Sequence, residues 1–209
     1  MLFELAFETV RPGALPSLID TFERTVCTSG PEFGVLNGAW TTEIGTLNRF
    51  VSLWRYEDAA HRNRAQALRE SDNSWSSYRA SVQAVLAARS QRTLTPLLPG
   101  KERGDGYRLY ELRTYDVLPG RLSEYIGYMR EAIEDREMRS PNFGFWSLAE
   151  GNPDKFLHLW AYRDFNDRLE IRRAALSDPS WQTYLAGALP IVRRQRSFLM
   201  LPTAFSPLR

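Results

Sequence analysis

The sequence predicts an α+β chain made of two tandem copies of one βαββαβ unit, on three observations: a repeat at near-constant offset, matched strand-like and helix-like periods in each half, and a glycine-rich, charged stretch between them. Glu4-Leu5 and Pro12-Gly13 recur as Glu111-Leu112 and Pro119-Gly120 at an offset of 107. Pro31-Glu32-Phe33-Gly34 pairs with Pro141-Asn142-Phe143-Gly144 at 110, and Leu53 to Asp58 pairs with Leu159 to Asp164 at 106, so the second copy has a shorter intervening loop. Asp72-Asn73-Ser74-Trp75 with Tyr78 returns as Asp178-Pro179-Ser180-Trp181 with Tyr184, again at 106. Pro99 to Gly106 reads as a linker, because its glycines and charges support no packed element. The boundary falls near Gly104, giving domains 1–103 and 104–209.

Each half is read in order from its hydrophobic period. Residues 2 to 10 alternate around Phe3, Leu5 and Phe7, which predicts a half-buried strand, with 109 to 117 as its counterpart. After Pro-Gly, Leu15, Leu18, Ile19, Phe22 and Val26 follow helical spacing, answered by Leu122, Tyr125, Ile126, Met129 and Ile133. Phe33 to Thr42 with Arg49 to Tyr56, and Phe143 to Ala149 with Lys155 to Tyr162, flank turn sequences and predict hairpins. A helical face follows at Trp75, Tyr78, Val82, Val85 and Leu86, and again at Trp181, Tyr184, Ala188, Ile191 and Val192, where Pro190 should kink or shorten it. Thr93 to Leu98 and Ser197 to Leu201 supply the last strands. This is the split βαβ, or ferredoxin-like, order, an antiparallel sheet with helices on one face. Its other face is left bare, so the two copies are expected to cover one another as a closed pseudo-dimer around a shared cavity.

Composition removes several function classes. The 209 residues are 43% hydrophobic and 12% aromatic with a net charge of +2, and basic residues are interleaved with acidic ones, so nucleic acid is not implied as a partner. No basic leader with an apolar segment opens the sequence and no membrane-length apolar run occurs; a soluble, cytoplasmic protein is expected. Cys27 is the only cysteine, so no intrachain disulfide forms, and its helical context predicts a small core residue. Neither a histidine pair at ligand spacing nor a nucleotide-binding glycine loop nor a Gly-x-Ser-x-Gly elbow is present. No metal is expected. Arg193-Arg194-Gln195-Arg196 reads as a cationic cap at a helix end.

Trp40-Thr41-Thr42-Glu43-Ile44-Gly45-Thr46-Leu47-Asn48 followed by Leu53-Trp54-Arg55-Tyr56 resembles the signature of the NIPSNAP family, and Tyr110 to Tyr115 with Pro119-Gly120 is similar to the opening strand of the same domain. The resemblance spans nearly the whole chain, one domain per half. It departs in the second half, where Glu150-Gly151-Asn152-Pro153 replaces Thr42-Glu43-Ile44-Gly45. It implies an intrachain pseudo-dimeric α/β-barrel and no single settled reaction.

The strand period places Glu111, Arg113 and Tyr115 on one face of their strand and His158, Trp160 and Tyr162 on one face of theirs. The opposite, mostly aliphatic rows are expected to pack the helices. The polar and aromatic rows are then expected to look between the sheets, with Glu4, Ser52, Trp54 and Tyr56 entering from the other copy. His158 is the candidate for proton transfer, because its ordinary pKa lies near neutrality, and Arg113 and Tyr115 are candidates for stabilising an oxyanion or enolate. Glu111, Trp160, Tyr162, Trp54, Tyr56 and Glu43 are candidate binding residues. Each has a structural alternative: Trp54, Trp160, Tyr56 and Tyr162 as interface packing, Glu111 with Arg113 as an ion pair, His158 as a hydrogen-bonded core histidine, and the Glu43 turn as a self-contained hairpin.

The expectation is a pocket for a small hydrophobic or aromatic molecule. By fold analogy it would serve a cofactor-independent monooxygenase, isomerase or dehydratase, with haem on His158 as a lesser branch. The alternative is a non-enzymatic interaction module with no ligand cavity. An exposed edge strand in each half also makes a homodimer an open option.

Overall fold

In the computed structural model, which describes residues 1–101 and 104–209, the chain divides into two units that repeat one element order. Glu102 and Arg103 of the Pro99–Gly106 linker lie outside the described residues. The first unit comprises Met1–Leu94 with Leu201–Leu208, and the second Thr95–Met200 with Arg209.

The first unit runs β1 (Leu2–Val10), α1 (Leu15–Cys27), β2 (Val35–Ile44), β3 (Arg49–Tyr56), α2 (Ala59–Ser71), α3 (Asn73–Gln83) and β4 (Leu86–Leu98), of which residues up to Leu94 belong here. Its strands lie in the order β4-β1-β3-β2, with antiparallel pairing throughout. The second runs β5 (Leu109–Val117), α4 (Leu122–Glu137), β6 (Asn142–Leu148), β7 (Lys155–Tyr162), α5 (Phe165–Leu176), α6 (Pro179–Ala188) and β8 (Val192–Pro202), ordered β8-β5-β7-β6 with the same antiparallel pairing. These are tandem ferredoxin-like units, the fold class the sequence predicts.

The predicted helical region after each hairpin is two helices, because an aspartate starts each one. Asp58, Asp72, Asp164 and Asp178 accept backbone N–H groups of the first helical turn, at His61, Trp75, Asp167 and Trp181 among others. A cap of this kind contributes about 1 kcal/mol. Pro190, which has no N–H to give, ends α6 at Ala188 and sits in a short 3-10 turn over Leu189–Ile191. Leu86 and Val192, expected on helices, instead open β4 and β8.

Two further expectations are corrected. Arg193 to Arg196 lie on β8 and cap no helix; Arg194 faces Asp116, with 4.0 Å between Nε and Oδ2. Cys27, the last residue of α1, is exposed, because the helix turns its buried stripe of Leu18, Phe22 and Thr25 to the sheet and leaves its C-terminal end in solvent.

Each unit has its own core between sheet and helices. In the second it gathers Tyr115, Val117, Phe145, Phe156, Trp160 and Tyr162 from the strands with Tyr125, Met129, Tyr184 and Ala188 from the helices. The bulge between Asn142 and Gly144 is held by the Asn142 side chain, which accepts the Gly144 N–H and donates to the Leu159 carbonyl. Gly144 has φ near 153°, and a Cβ there would lie 2.0 Å from the Trp146 ring, so the bulge requires glycine.

Candidate functional site

The rows expected to look between the sheets face the helices of their own unit. In the second unit Tyr115 meets Tyr125 edge-on at 6.2 Å, and Trp160 lies under the Arg136 guanidinium of α4 at 4.5 Å. In the first, Trp54 meets Trp75 of α3 at 5.8 Å and Phe22 of α1 at 6.1 Å. The physical reason is that the helices bring partners for the charged members. Arg168 of α5 forms a bidentate pair with Glu111 at 2.8 and 3.0 Å, and Arg62 of α2 reaches Glu4 at 2.7 Å. A carboxylate neutralised in this way can sit on the helix-packed face.

On that face of the second unit, between the sheet and α4, α5 and α6, lies a cavity of about 250 Å³. β5 supplies Arg113 and Tyr115, β7 supplies His158 and Trp160, and β8 supplies Gln195. The helices add Met129 and Arg136 from α4, Arg172 and Ala175 from α5, and Trp181, Tyr184 and Leu185 from α6. The lining holds three arginines and no acidic residue.

His158 pairs in register with Arg113 on one side and Phe145 on the other, and its ring stacks on Phe145 at 4.7 Å. Its Nδ1 accepts the indole N–H of Trp160 at 2.6 Å. An indole nitrogen only donates, so Nδ1 carries the lone pair and the proton resides on Nε2. Burial, reinforced by the Arg113 cation, holds the imidazole pKa well below its usual range despite the opposing pull of Glu111. His158 is therefore a neutral imidazole at physiological pH that presents an Nε2–H. Its Nε2 has no hydrogen-bond partner, and the same holds for the buried Arg113 Nε and Arg136 Nη1.

Glu111 sits beside this group as a shared counter-ion of its arginines. Burial pushes its carboxyl up, but hydrogen bonds from Arg168 and Ser197 and the charge of Arg113 outweigh that and hold it at about 2. Ser197 donates at 2.6 Å and Tyr162 at 3.4 Å, so its oxygens are taken. Arg113 and Arg172 stand 3.9 Å away. Tyr115 is buried, with burial raising its phenol pKa, so it presents a neutral hydroxyl.

The first unit shows what a filled version looks like. Ser52 replaces His158 and accepts the Trp54 indole N–H at 3.2 Å. Arg69, whose counterpart in the repeat is Ala175, lays its guanidinium over Trp54 at 4.0 Å and over Trp75 at 4.6 Å and donates to the Phe33 carbonyl. In the second unit the guanidinium over the tryptophans comes from α4 instead: Arg136, counterpart of Ser29, lies over Trp160 at 4.5 Å and Trp181 at 5.6 Å. Exchanging Arg69 for Ala175 removes a long side chain from the sheet–helix space, and the cavity is there.

Of the residues singled out in the sequence, Arg113, Tyr115, His158 and Trp160 line this cavity. Glu111 and Tyr162 form the ion-paired cluster beside it. Trp54 and Tyr56 belong to the aromatic core of the first unit, where Tyr56 donates to Glu4 at 3.5 Å. Glu43 is exposed near the end of β2 and does not line the cavity. Arg136, Arg172 and Trp181 escaped the strand-based reading because they come from helices, where a charged residue ordinarily marks the solvated side. The usable signal was disagreement within the repeat: Ser29 against Arg136, Gln66 against Arg172, Arg69 against Ala175. Among the described residues no group of three or more potential metal ligands occurs, and no helix is long and apolar enough to cross a membrane.

Sheet order, repeat and register define a tandem ferredoxin-like protein. A candidate monooxygenase from Lactobacillus acidophilus superposes with a TM-score of 0.73 at 12% identity, over 96% of this chain and 93% of its own, and a second from Fusobacterium nucleatum with 0.75 at 14%, over 96% and 91%. At such identity the likeness is one of fold. The NIPSNAP family model matches residues 3–99 and again 110–207, and the chain belongs to the NIPSNAP family. Protein NipSnap of Drosophila melanogaster is 26% identical over 215 residues, covering 99% of this chain and 78% of the fly protein.

Proposed function

We propose that the second unit binds one small hydrophobic or aromatic molecule in the cavity between its sheet and α4, α5 and α6, and that any reaction there needs no prosthetic group. The observation that carries this reading is the cavity, about 250 Å³ walled by Met129, Trp160, Trp181, Tyr184 and Leu185. A dry apolar hole of about 150 Å³ accepts benzene, and sites for drug-sized ligands begin at about 300 Å³. The occupant is accordingly of single-ring or short-chain size, and haem is too large for it. Chemistry in such a site would rest on hydrogen-bond donation: the His158 Nε2–H and the Arg113 guanidinium are suited to stabilise negative charge developing on an oxygen, with water excluded by the aromatic walls. The likeness in fold to candidate monooxygenases is in keeping with this and adds nothing about substrate.

A thermal-shift screen with phenols, aromatic acids and short acyl compounds tests the proposal. A compound at 100 times its dissociation constant should add about 2.7 kcal/mol of stability. The response should weaken in Ala175→Leu, which narrows the cavity. If no compound raises the transition, the reading as an interaction module without a ligand takes its place.

A further inference from the structure

We infer that the molecule this cavity accepts is a monoanionic carboxylic acid, its carboxylate received by Arg113, Arg136 and His158 and its apolar part lying along the tryptophans toward the cavity rim. The inference rests on the binding reading above and narrows it to one chemical class.

The argument begins with three buried nitrogens of cavity-lining residues that lack hydrogen-bond partners, two from the sheet and one from α4: Arg113 Nε, His158 Nε2 and Arg136 Nη1. Buried polar groups in folded proteins are nearly always hydrogen-bonded, and an orphan costs about 1–3 kcal/mol. All three are donors and nothing else. Arginine has no acceptor, and the Trp160 indole N–H fixes the histidine proton on Nε2. The missing partner is therefore an acceptor. A water molecule would bring two donors of its own into surroundings that offer donors, which makes it a poor fit.

Charge carries the argument further. Two of these donors are guanidinium groups, Arg172 adds a third to the lining, and no aspartate or glutamate lines the cavity. Glu111 is ion-paired with Arg113 and with Arg172 across 3.9 Å but takes its hydrogen bonds from Arg168 and Ser197, so one carboxylate is shared among three guanidinium groups and Arg136 adds a fourth. A neutral carbonyl would satisfy hydrogen bonds but leave the cationic surplus. A carboxylate supplies two oxygens with about four acceptor sites and one negative charge. The apolar part is specified by the rest of the wall: Trp160 and Trp181 inside, then Leu176 and Leu189, which are 59% and 49% exposed and form an apolar lip. Inorganic phosphate could use the donors but would leave these surfaces unpaired.

The test is isothermal titration of the whole chain, in chloride-free buffer, with benzoate, phenylacetate and hexanoate, each compared with its primary amide, and with inorganic phosphate. At least one acid should bind once per chain and at least tenfold more tightly than its amide. Arg113→Gln and Arg136→Gln should each weaken the acid at least tenfold while leaving the amide nearly unchanged. The acid–amide comparison on the parent protein stands even if a variant fails to fold. Amides binding as well as acids would overturn the carboxylate assignment and leave the cavity as a binding site. Phosphate binding as tightly as the best acid would overturn the need for an apolar part. Silence from every compound would sink both this inference and the binding proposal.

Discussion

Trp160 donates its indole N–H to Nδ1 of His158 two residues earlier on the same strand, at 2.6 Å, and Trp54 stands in the same relation to Ser52 at 3.2 Å. The two halves preserve the donor and exchange the acceptor. With serine the hydrogen bond ends at a hydroxyl. With histidine it reaches across a ring and decides what the far nitrogen presents to the cavity.

Removing that donor should release the histidine. In Trp160→Phe the imidazole has no partner at Nδ1, so both neutral tautomers become accessible. Nitrogen-15 chemical shifts on histidine-labelled protein resolve this readily, since His61 is the only other histidine. The parent should show a single Nε2–H form at His158 and the variant an averaged pair of shifts. The lost hydrogen bond and ring volume should cost about 2 kcal/mol of stability in urea denaturation.

The same histidine sets a pH dependence. Its folded pKa is depressed, with Arg113 and Arg136 facing it as cations and Glu111 as the opposing anion. The unfolded chain takes up a proton as pH falls through 6.5 and the folded chain does not. Stability is thus fully present above 6.5 and declines below it by about 1.4 kcal/mol per pH unit, until the folded state also protonates. His158→Asn should be less stable at pH 7.5 and lack this segment of the stability–pH curve; an unchanged slope between pH 6.5 and 5 would contradict the assignment.

Glu111 acts at lower pH. Its folded pKa of about 2 lies below the reference 4.5, so its contribution is complete above 4.5 and lost as pH falls toward 2. The difference corresponds to about 3 kcal/mol. Glu111→Gln should flatten stability between pH 4.5 and 2. At pH 7 it should cost about 3 kcal/mol, because the partly buried Arg168 and Arg113 lose the carboxylate they share. Urea midpoints measured across this range provide the comparison.

Ala175→Leu asks whether the cavity is space or structure. The added side chain enters a volume the fold already leaves open, so the transition temperature should stay within a few degrees of the parent. Any stabilisation by small acids should be reduced. A large loss of stability would mean that the surrounding helices cannot hold a side chain there.

Much of the fold was legible. Alternation bounded by Pro-Gly and polar turns set the ends of β1, β3, β5 and β7 at the residues where the strands run, and the recurring tryptophans set the repeat. The orientation of the sheets was not legible from their own residues. Both faces of β5 are apolar enough to bury, since Tyr110 and Leu112 on one side and Tyr115 on the other are all nearly inaccessible. What decides between them is Arg168, more than fifty residues later, which neutralises Glu111 on the helix side. The cavity was hidden for a related reason. An alanine on a helix reads as neutral filler, and only beside Arg69 does Ala175 read as a removal.

Arg69 gives the two halves different relations to their surroundings. Tethered to α2, its guanidinium fills the first unit at an effective concentration that no dilution alters. On the binding proposed above, the second unit has in place of that side chain a cavity whose occupancy would follow the supply of a free solute. Hydrogen-exchange protection of α5 and α6 should accordingly rise and fall with that solute, while α2 and α3 keep a fixed rate, so that within one molecule the first half is an invariant standard against which the second can be read.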